Sequence, residues 1–475
     1  MPTNFDALSL SEALLAVVAE LGYTQPTPIQ AAGIPALLAG RDLIGQSKTG
    51  SGKTAAFTLP ILQRIELAER ALQALVLCPT RELCAQVARE ARKLGRAHAG
   101  LTVLELTGGQ PARPQREALQ RGVHIAVGTP GRVLDHLQRH ALDPRQLKFV
   151  VLDEADRMLD MGFGEGVGRI LRALPRARQT ALFSATFPPS IEVMSAEYQR
   201  DAVRVTIEAP AEATLAIDEL QLVARPEERL RALCVVLERF PHESALVFCN
   251  FKATVAEVAR TLGAAGLSVD RLDGDLEQFH RDQVLARFRN QSVRVLVATD
   301  VAGRGIDVDG LDLVVNYELP TQPEVYVHRI GRTGRAGKTG VAVSLTSGPN
   351  DTRIAAIEQL TGRTIAPLPR AAQDGADLDA LLEALSARAA SAPQMTTILI
   401  SGGRKDRVRP GDILGALTGD AGGLAGAQVG KIEVQDTLSY VAVAARVGQR
   451  AVERLNAGRI KGKRFRATLI RGLHE

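Results

Sequence analysis

Residues suited to binding a nucleoside triphosphate stand together in one glycine-rich segment. Residues 47–54 read Ser-Lys-Thr-Gly-Ser-Gly-Lys-Thr, and the two glycines let backbone N–H groups approach a phosphate closely. Lys53 is expected to reach the β- and γ-phosphates, and the Thr54 hydroxyl to bind Mg²⁺. Strict phosphate loops begin with Gly, where this chain has Ser47. We predict a phosphate site formed by Ser47, Lys48, Thr49, Gly50, Ser51, Gly52, Lys53 and Thr54.

Two acidic residues supply a second half for such a site. Asp153 and Glu154 follow the apolar run 149–152, where a buried strand would end and where ligands bind in α/β sheets. Asp153 is suited to hold Mg²⁺, and Glu154 to orient or deprotonate the attacking water. Alone, a pair of acids after a strand more often marks a turn. Together with the upstream phosphate loop, the pair indicates a nucleoside triphosphatase.

The elements that must position these residues alternate in type between about residues 40 and 345. Short apolar runs are separated by amphipathic helical segments, which predicts parallel strands connected by helices. No clear strand–helix unit stands at 205–220, so we place a domain boundary near 207–212. We predict two tandem α/β lobes, 1–207 and 208–365, with strands at 42–44, 74–78, 124–127, 149–152, 181–183, 245–249, 293–297 and 313–316.

The remaining chain has a different composition. Residues 366–394 are rich in Pro and Ala and predict a semi-flexible linker with one helix at 378–389. Beyond it, residues 395–475 predict the order β-α-β-β-α-β, a ferredoxin-like unit shared by many RNA-binding modules. The predicted elements of this RRM-like α+β domain are 397–400, 410–417, 432–434, 440–443, 447–455 and 465–470.

Composition narrows the function classes. The chain of 475 residues has a formal net charge of +5, but residues 395–475 hold 14 basic and 7 acidic residues, so the positive charge is concentrated there. Such a segment is a candidate phosphate-binding surface, the alternative being a solvated basic face. Aromatic residues are only 4%, which predicts nucleic-acid binding with little aromatic stacking.

The four cysteines have no metal-binding spacing, so we predict buried thiols. No apolar run is long enough to span a membrane. We therefore expect a soluble cytoplasmic protein.

The four residues 153–156 spell Asp-Glu-Ala-Asp, and the chain resembles the DEAD-box RNA helicases from residue 5 to about 346. The resemblance implies RecA-like lobes, with ATP and Mg²⁺ as ligands. Residues 22–30 resemble the segment of the family that reads adenine. A Gln amide can bond both N6 and N7 of adenine, so Gln30 is expected to favour ATP over GTP. Nucleotide contacts implied by the resemblance are Phe5, Tyr23, Thr27, Gln30 and, at the ribose, Asp307.

Further segments resemble the family's RNA contacts and coupling motifs. On the first lobe the implied RNA contacts are Pro79, Thr80, Arg81, Gly108, Gly109, Thr129 and Arg132. On the second they are Asn250, Gln278, Arg281, Thr299, Asp300 and Arg304, beside a Gly303 where the family usually has Ala. Residues 326–335 match the arginine-finger segment, which implies that Arg332 and Arg335 neutralise charge on the γ-phosphoryl group. Ser184, Thr186 and His328 are expected to couple ATP turnover to unwinding, and the hydroxyls of Ser184 and Thr186 to bond the acids of residues 153–156.

The C-terminal domain resembles that of a bacterial subfamily, DEAD-box protein A, which acts on large-subunit ribosomal RNA. The segments that carry the resemblance are 395–397, 402–405, 409–419 and 461–463. It implies recognition of a ribosomal RNA hairpin, the alternative being a nonspecific basic tether. Tyr440 is the one aromatic on the predicted third strand, so base stacking on the sheet is not expected. We predict RNA contacts from loops instead, at Arg404, Lys405, Arg407, Arg409, Lys461, Lys463 and Arg464.

The sequence thus predicts a monomeric, RNA-stimulated ATPase that unwinds short duplexes during assembly of the large ribosomal subunit, with ribosomal RNA and pre-ribosomal particles as partners. One alternative is an ATP-dependent clamp on other RNA targets, in general mRNA or ribonucleoprotein remodelling, or a clamp without turnover. The presence of Lys53, Glu154, Arg332 and Arg335 argues against a clamp without turnover. Another alternative is a DNA-directed motor, against which Gln30 and residues 326–335 favour RNA.

Overall fold

The computed structural model describes residues 2–47, 50–207, 217–300, 310–334, 339–348, 351–369, 375–389, 394–419 and 423–472. The predicted site residues Lys48, Thr49, Arg304, Asp307 and Arg335 lie outside these ranges. The chain divides into two compact units, Met1–Thr214 and Leu215–Glu475. Within the described ranges, none of the helices combines the length and apolar character that crossing a bilayer requires.

The described part of the first unit contains a parallel sheet of seven strands in the order β3-β4-β2-β5-β6-β1-β7. The strands are β1 (Leu43–Gln46), β2 (Ala74–Leu77), β3 (Val103–Leu106), β4 (Ile125–Gly128), β5 (Phe149–Asp153), β6 (Gln179–Ser184) and β7 (Val203–Thr206). The helices are α1 (Glu12–Glu20), α2 (Pro28–Leu38), α3 (Lys53–Arg64), α4 (Arg81–Leu94), α5 (Ala112–Gln120), α6 (Pro130–Gln138), α7 (Ala155–Asp160), α8 (Gly164–Ala173) and α9 (Pro189–Tyr198).

Strand β2 shows why this sheet is covered on both faces. Its residues are apolar and buried without interruption, so both sets of alternating side chains need a partner layer. Ala74 and Val76 belong to one hydrophobic cluster, whereas Leu75 and Leu77 belong to another on the opposite face. Helices therefore pack on both faces, and the carboxyl ends of the parallel strands are left at one edge of the sheet, where side chains that follow the strands can meet.

The second unit repeats this plan. In its described residues, seven parallel strands follow the order β10-β11-β9-β12-β13-β8-β14. They are β8 (Ile217–Val223), β9 (Ala245–Cys249), β10 (Val269–Leu272), β11 (Val295–Thr299), β12 (Leu313–Asn316), β13 (Gly340–Thr346) and β14 (Ala366–Pro367). The helices are α10 (Arg229–Arg239), α11 (Lys252–Ala264), α12 (Gln278–Arg289), α13 (Pro323–Ile330), α14 (Thr352–Thr361) and α15 (Leu378–Ala389).

Helix α15 is the helix predicted within the linker, with the predicted bounds. Its Leu381 and Leu385, four residues apart on one face, are buried in the hydrophobic core that α10 and the sheet also form. This part of the predicted linker is therefore a packed element of the second unit. The four cysteines of the chain are buried free thiols, as predicted.

The C-terminal residues form the predicted RRM-like domain. An antiparallel sheet in the order β16-β17-β15-β18 is built from β15 (Met395–Ile400), β16 (Val429–Val434), β17 (Ser439–Ala444) and β18 (Ala467–Leu469), with helices α16 (Pro410–Thr418) and α17 (Gly448–Ala457). One face of the sheet packs on these helices through a cluster that includes Ile398, Val441 and Leu455.

The other face of this sheet is covered by α12 and the turn that follows it. Thr397 Oγ1 accepts a hydrogen bond from the Asn290 amide at 3.1 Å and lies 2.7 Å from the Ser292 hydroxyl, and all three side chains are buried. Beside them, Arg289 forms a 2.9 Å ion pair with Glu433, with both side chains largely buried. The C-terminal domain is therefore docked on the second lobe through polar contacts rather than left on a free tether.

Candidate active site

The phosphate loop lies between β1 and α3, as predicted. Gly52 precedes α3 with φ +89°, a left-handed conformation, and a Cβ at this position would collide with the Gln30 amide. Lys53 is buried, and its ammonium donates to the Ser47 carbonyl at 3.0 Å, while the Ser47 and Ser51 hydroxyls lie 2.8 Å apart. The loop is thus curled around the Lys53 side chain at the start of a helix, an arrangement that suits an anion.

The predicted adenine-reading residue packs on this loop. Gln30, on α2, is buried; its amide nitrogen donates to the Gly52 carbonyl at 3.1 Å and its oxygen accepts from the Thr27 N–H at 3.0 Å. The Thr27 hydroxyl is also buried near Gly52, and it has no hydrogen-bond partner among the described residues. A buried, unsatisfied hydroxyl beside a phosphate loop fits a site that a polar ligand completes.

The two predicted aromatic contacts stand together. The Phe5 and Tyr23 rings meet edge to face with centroids 6.2 Å apart. Phe5 is buried in the core, and the Tyr23 hydroxyl donates to Glu90 at 2.7 Å. Burial, followed by the Glu90 contact, raises the pKa of Tyr23, so its hydroxyl stays protonated as a donor. This pair braces the start of α2, which carries Gln30.

Asp153 is the last residue of β5, and Glu154 follows it directly. Strand β5 lies between β2 and β6, three strands from the edge strand β7. Asp153 is buried and accepts a hydrogen bond from the Glu154 N–H at 3.1 Å. Burial raises the pKa of its carboxyl to about 6, although Lys53 acts in the opposite direction. A buried carboxylate beside Lys53 and with its charge incompletely compensated fits a cation ligand, and the Thr54 hydroxyl on α3 is the second donor of the predicted Mg²⁺ pair.

Glu154 has a backbone conformation unusual for its residue type. Its φ of 53° and ψ of 53° place it in the left-handed region, immediately before α7. For a residue other than Gly this costs about 1–3 kcal/mol and is tolerated where the surrounding structure enforces it. Strain of this kind clusters at functional sites, and here it aims the residue that we predict to act on water.

Asp156 ties this acidic turn to the predicted coupling segment. One of its carboxylate oxygens accepts hydrogen bonds from the Ala185 N–H at 3.2 Å and from the Thr186 N–H and hydroxyl at 2.9 and 2.8 Å. The Asp156 N–H donates to the Ser184 hydroxyl at 3.3 Å. The resemblance implied that the hydroxyls of residues 184–186 bond the acids of residues 153–156. The structure places the Asp156 carboxylate at the centre of this contact, with two backbone N–H groups as further donors.

The predicted RNA contacts of the first lobe follow the neighbouring strands β2, β3 and β4. Arg81, at the start of α4, packs against the turn at Gly108 and Gly109, and a Cβ at Gly109 would collide with its guanidinium. Arg132, on α6, donates to the Gln110 carbonyl and to Gln115 at 3.1 and 2.9 Å. The other predicted contacts of this lobe lie on the same loops; these are Pro79, Thr80 and Thr129.

The first unit therefore places two predicted sites side by side. In the strand order β3-β4-β2-β5-β6-β1-β7, the first three strands end in the predicted RNA loops, and β5, β6 and β1 end in the nucleotide loops. Because β2 pairs with β5, the two sets of loops adjoin at a single edge.

In the second unit, one buried arginine connects residues at the carboxyl ends of the strands. Arg329 is 1% exposed and its guanidinium donates to Asp300 at 2.7 and 2.6 Å, to the Asn250 oxygen at 2.8 Å and to Asn316 at 3.1 Å. Two of these partners, Asn250 and Asp300, are predicted RNA contacts, and in the structure their side chains hold Arg329. Sequence reasoning missed this residue, although it lies three positions before Arg332 in the segment 326–335 that was matched to the arginine fingers.

The other predicted residues of this lobe lie on the same edge. Arg332 and His328 are on or directly after α13, and Arg332 is largely buried. Arg281, on the first turn of α12, donates to the Asp273 carbonyl at 3.1 Å, and Gln278 donates to Asp282 at 3.0 Å. Thr299 ends β11 and is buried.

In the C-terminal domain the structure brings the predicted basic loops together. The Lys461 ammonium donates to the Arg407 carbonyl at 3.1 Å, and Lys463 lies 4.0 Å from Asp406. We call the exposed residues Arg404, Lys405, Arg407, Lys461 and Lys463 the basic loop pair. Tyr440, by contrast, is fully buried under the second lobe, so the one aromatic of the third strand cannot stack on a base in this arrangement.

Comparison with known proteins agrees with this division of the chain. Residues 27–194 match the family DEAD/DEAH box helicase, residues 228–337 match Helicase conserved C-terminal domain, and residues 397–469 match DbpA RNA binding domain. The chain is 46% identical to the ATP-dependent RNA helicase DbpA of Escherichia coli K12, over 99% of this chain and 100% of that protein.

Two further relatives cover the two lobes. The ATP-dependent RNA helicase DeaD of Mycobacterium tuberculosis is 43% identical over 76% of this chain and 64% of that protein. Among solved structures, S. cerevisiae Dbp5 bound to RNA and ADP BeF3 is similar with a TM-score of 0.71 and 32% identity, over 82% of this chain and 99% of that chain. The chain therefore belongs to the DEAD-box ATP-dependent RNA helicases and carries, after its two helicase lobes, a DbpA RNA-binding domain.

Proposed function

We propose that this helicase acts on large-subunit ribosomal RNA during ribosome assembly, directed there by a hairpin that its C-terminal domain binds. The protein would bind and hydrolyse ATP, couple hydrolysis to a change in its RNA contacts, and select its RNA target through the C-terminal domain. The observation that carries it is the docked C-terminal domain, whose sheet face is buried and whose basic loop pair is exposed.

For the use of ATP, we assign Lys53 to the β- and γ-phosphates and Gln30 to the adenine edge, with Thr27 beside it. Thr54 and Asp153 would hold Mg²⁺, which neutralises phosphate charge when bound. Glu154 orients the attacking water and accepts its proton. Arg332 and Arg335 act as arginine fingers because their planar guanidinium groups spread positive charge over the transferred phosphoryl group.

The coupling of ATP hydrolysis to RNA unwinding would use the contact between Asp156 and Thr186. Support comes from the adjacency of nucleotide loops and predicted RNA loops along the first sheet, with β5 and β2 as the neighbours. Because the acidic turn is bonded to residues 184–186, a change at the γ-phosphate site moves both segments together. We propose that this shift tightens the loops carrying Arg81 and Arg132 on one RNA strand and so displaces the other strand locally.

The choice of RNA rests on the C-terminal domain. Its usual stacking face is occupied by α12, so hairpin binding would use the basic loop pair. Two residues of these loops, Arg407 and Lys461, have positive φ values of 64° and 50°, and the surrounding structure must enforce them. Since the domain is docked on the second lobe, a hairpin held there would have a fixed orientation relative to that lobe.

ATP hydrolysis at rising salt tests this proposal. We expect a ribosomal RNA fragment that contains the cognate hairpin to stimulate hydrolysis at lower concentrations than an unrelated RNA of equal length. The double variant Lys461→Ala/Lys463→Ala should abolish this preference and lower the salt dependence of binding by about 2 in log–log slope. Arg446→Ala/Arg450→Ala removes the same charge from exposed positions elsewhere in the domain and serves as the control. Equal stimulation of the unaltered protein by both RNAs would refute hairpin targeting.

A further inference from the structure

Exposed aromatic rings are rare in this chain, and they share one location. All 12 Phe and 5 Tyr residues lie in the described part of the chain, and 15 of these rings are buried or half-buried. The two exposed rings are Phe251, with 64% of its surface accessible, and Phe279, with 45%.

Both rings lie at the carboxyl edge of the second sheet. Phe251 follows β9 and directly precedes α11, whereas Phe279 is the second residue of α12, after β10. Strands β9 and β10 both pair with β11, so the two segments flank the end of that strand. Each ring is also adjacent in sequence to a predicted RNA contact, Asn250 in one case and Gln278 in the other.

The loops that present the rings are joined to each other. The Lys252 ammonium donates a hydrogen bond to Asp275, and a Cβ at Gly274 would lie 3.5 Å from the Lys252 side chain. The turn before Phe279 is further ordered by the Asp275 N–H, which donates to Asp273 at 2.9 Å. The two rings therefore stand on neighbouring, cross-linked segments.

Phe279 is supported in its exposed position. Its ring meets the His280 ring edge to face, with centroids 5.7 Å apart and planes at 60°. Such a contact restrains one edge of the phenyl ring while its surface stays open to solvent. An exposed ring held in this way loses little conformational entropy when a flat ligand stacks on it.

We propose that Phe251 and Phe279 form a stacking surface for unpaired RNA bases on the second lobe. The proposal rests on the function above, in which this edge contacts RNA. Unpaired bases are the occupants favoured here because each ring is next in sequence to polar side chains, Asn250 and Lys252 for Phe251 and Gln278 for Phe279, which suits contact with a polar strand that carries flat bases. Stacking accepts any base, and it replaces the contact that a base loses when its duplex opens.

The exposed rings differ from what composition alone predicts about RNA binding. The low aromatic content predicted RNA binding with little stacking, and the buried Tyr440 agrees with that for the C-terminal sheet. On the second lobe, however, the few aromatic residues that do reach solvent lie where an RNA strand is expected.

The test combines ring and base deletions in a double-mutant cycle. Full-length protein is titrated with a fluorescent single-stranded RNA in saturating ADP and beryllium fluoride, using a series in which one nucleotide at a time is abasic. Phe251→Leu and Phe279→Leu keep apolar surface but remove the ring. Leu360→Ala, at an exposed position on α14, is the matched control.

We expect the unaltered protein to lose affinity about 5-fold or more, equivalent to ~1 kcal/mol, at one or two abasic positions. Each Leu variant should show a similar loss on normal RNA and no further loss at its matching abasic position. Additive losses, or unchanged affinity in both variants, would overturn the stacking proposal and favour a protein partner for these rings. The proposed function fails separately, if the unaltered protein does not bind this RNA at all.

Discussion

The Asp156 carboxylate accepts hydrogen bonds from both the N–H and the hydroxyl of Thr186, at 2.9 and 2.8 Å. This contact joins the segment after β5 to the turn after β6, in a helicase whose predicted ATP and RNA loops share one sheet edge. A hydrogen bond to a charged group stabilises a contact by roughly 1.5–3 kcal/mol, enough to make the two turns move as one.

Removing the Thr186 hydroxyl should separate hydrolysis from unwinding. We expect Thr186→Val to retain RNA-stimulated ATP hydrolysis within a few fold, since no predicted nucleotide ligand is changed, but to unwind many fewer duplexes per ATP. The ratio of strand displacement to phosphate release, measured on a short RNA duplex, reports this. Thr361→Val, which removes a hydroxyl bonded to the Ile357 carbonyl, should leave the ratio unchanged. An unchanged ratio in Thr186→Val would remove this contact from coupling.

Replacing Glu154 should stop turnover without weakening ligand binding. Glu154→Gln keeps the size of the side chain but cannot accept a proton, so we expect kcat to fall by about 10²–10⁴. The affinity for ATP and for single-stranded RNA should stay within a few fold. Glu165→Gln, at an exposed position on α8, is the control. Normal turnover in Glu154→Gln would exclude this residue as the general base.

Asp153 makes stability depend on pH with a defined sign. Burial raises the pKa of its carboxyl from 3.8 to about 6. Its contribution to stability is therefore present below pH ~3.8 and is lost as the pH rises through about 6. We expect Asp153→Asn to have a higher Tm than the unaltered protein at about pH 8, and this difference to shrink towards pH ~5.

The control for this experiment is Asp143, whose carboxyl pKa is shifted in the opposite direction. Hydrogen bonds from Arg145 hold the pKa of the Asp143 carboxyl below its usual range, so Asp143→Asn should not raise the Tm at any pH. A Tm difference for Asp153→Asn that is independent of pH would show that Asp153 does not titrate in this range.

The interface under the C-terminal domain depends on Thr397. Thr397→Val removes a hydroxyl that contacts Asn290 and Ser292, leaving these buried polar groups without that partner at a cost of roughly 1–3 kcal/mol each. We expect faster amide hydrogen exchange in β17 and at the end of α12, with no change in the first unit. Thr396→Val, on the neighbouring position of the strand, should leave exchange unaltered. Unchanged exchange in Thr397→Val would show that docking does not rely on this hydroxyl.

Much of this architecture could be predicted from uninterrupted apolar runs. The strands at 245–249 and 313–316 have the predicted bounds because all their side chains are buried and their ends are marked by polar residues. Several of the strands that were missed carry charges, although β13 was missed and has none. In β10, Asp270 interrupts the pattern, and only the fold shows that it forms a buried 2.6 Å ion pair with Arg287 of α12. Strand β8 contains Asp218 and Glu219, and the latter accepts from Tyr326 at 2.9 Å.

The site was predictable where a single segment carries the chemistry. The phosphate loop and the acids after β5 are of this kind, since a strand, a turn and a helix position them locally. Arg329 is not, because its partners Asn250, Asp300 and Asn316 come from turns that are distant in sequence and only the shared sheet edge brings them together. The docking of the C-terminal domain was missed for the same reason: Thr397 is an ordinary strand residue until Asn290 lies opposite it.

Helix α12 connects the predicted RNA contacts of the second lobe to the C-terminal domain. Its first turn bears Gln278, Phe279 and Arg281, and its last residue, Arg289, grips the C-terminal domain. At ~1.5 Å per residue, a helix of 12 residues spans about 18 Å, and one inserted residue would also turn the grip by ~100°. In the proposed function, the residue count of α12 would therefore set the distance and direction from a hairpin on the C-terminal domain to the RNA strand on the second lobe. A spacing fixed in this way would limit unwinding to duplexes at one distance from the hairpin, whatever the sequence of those duplexes.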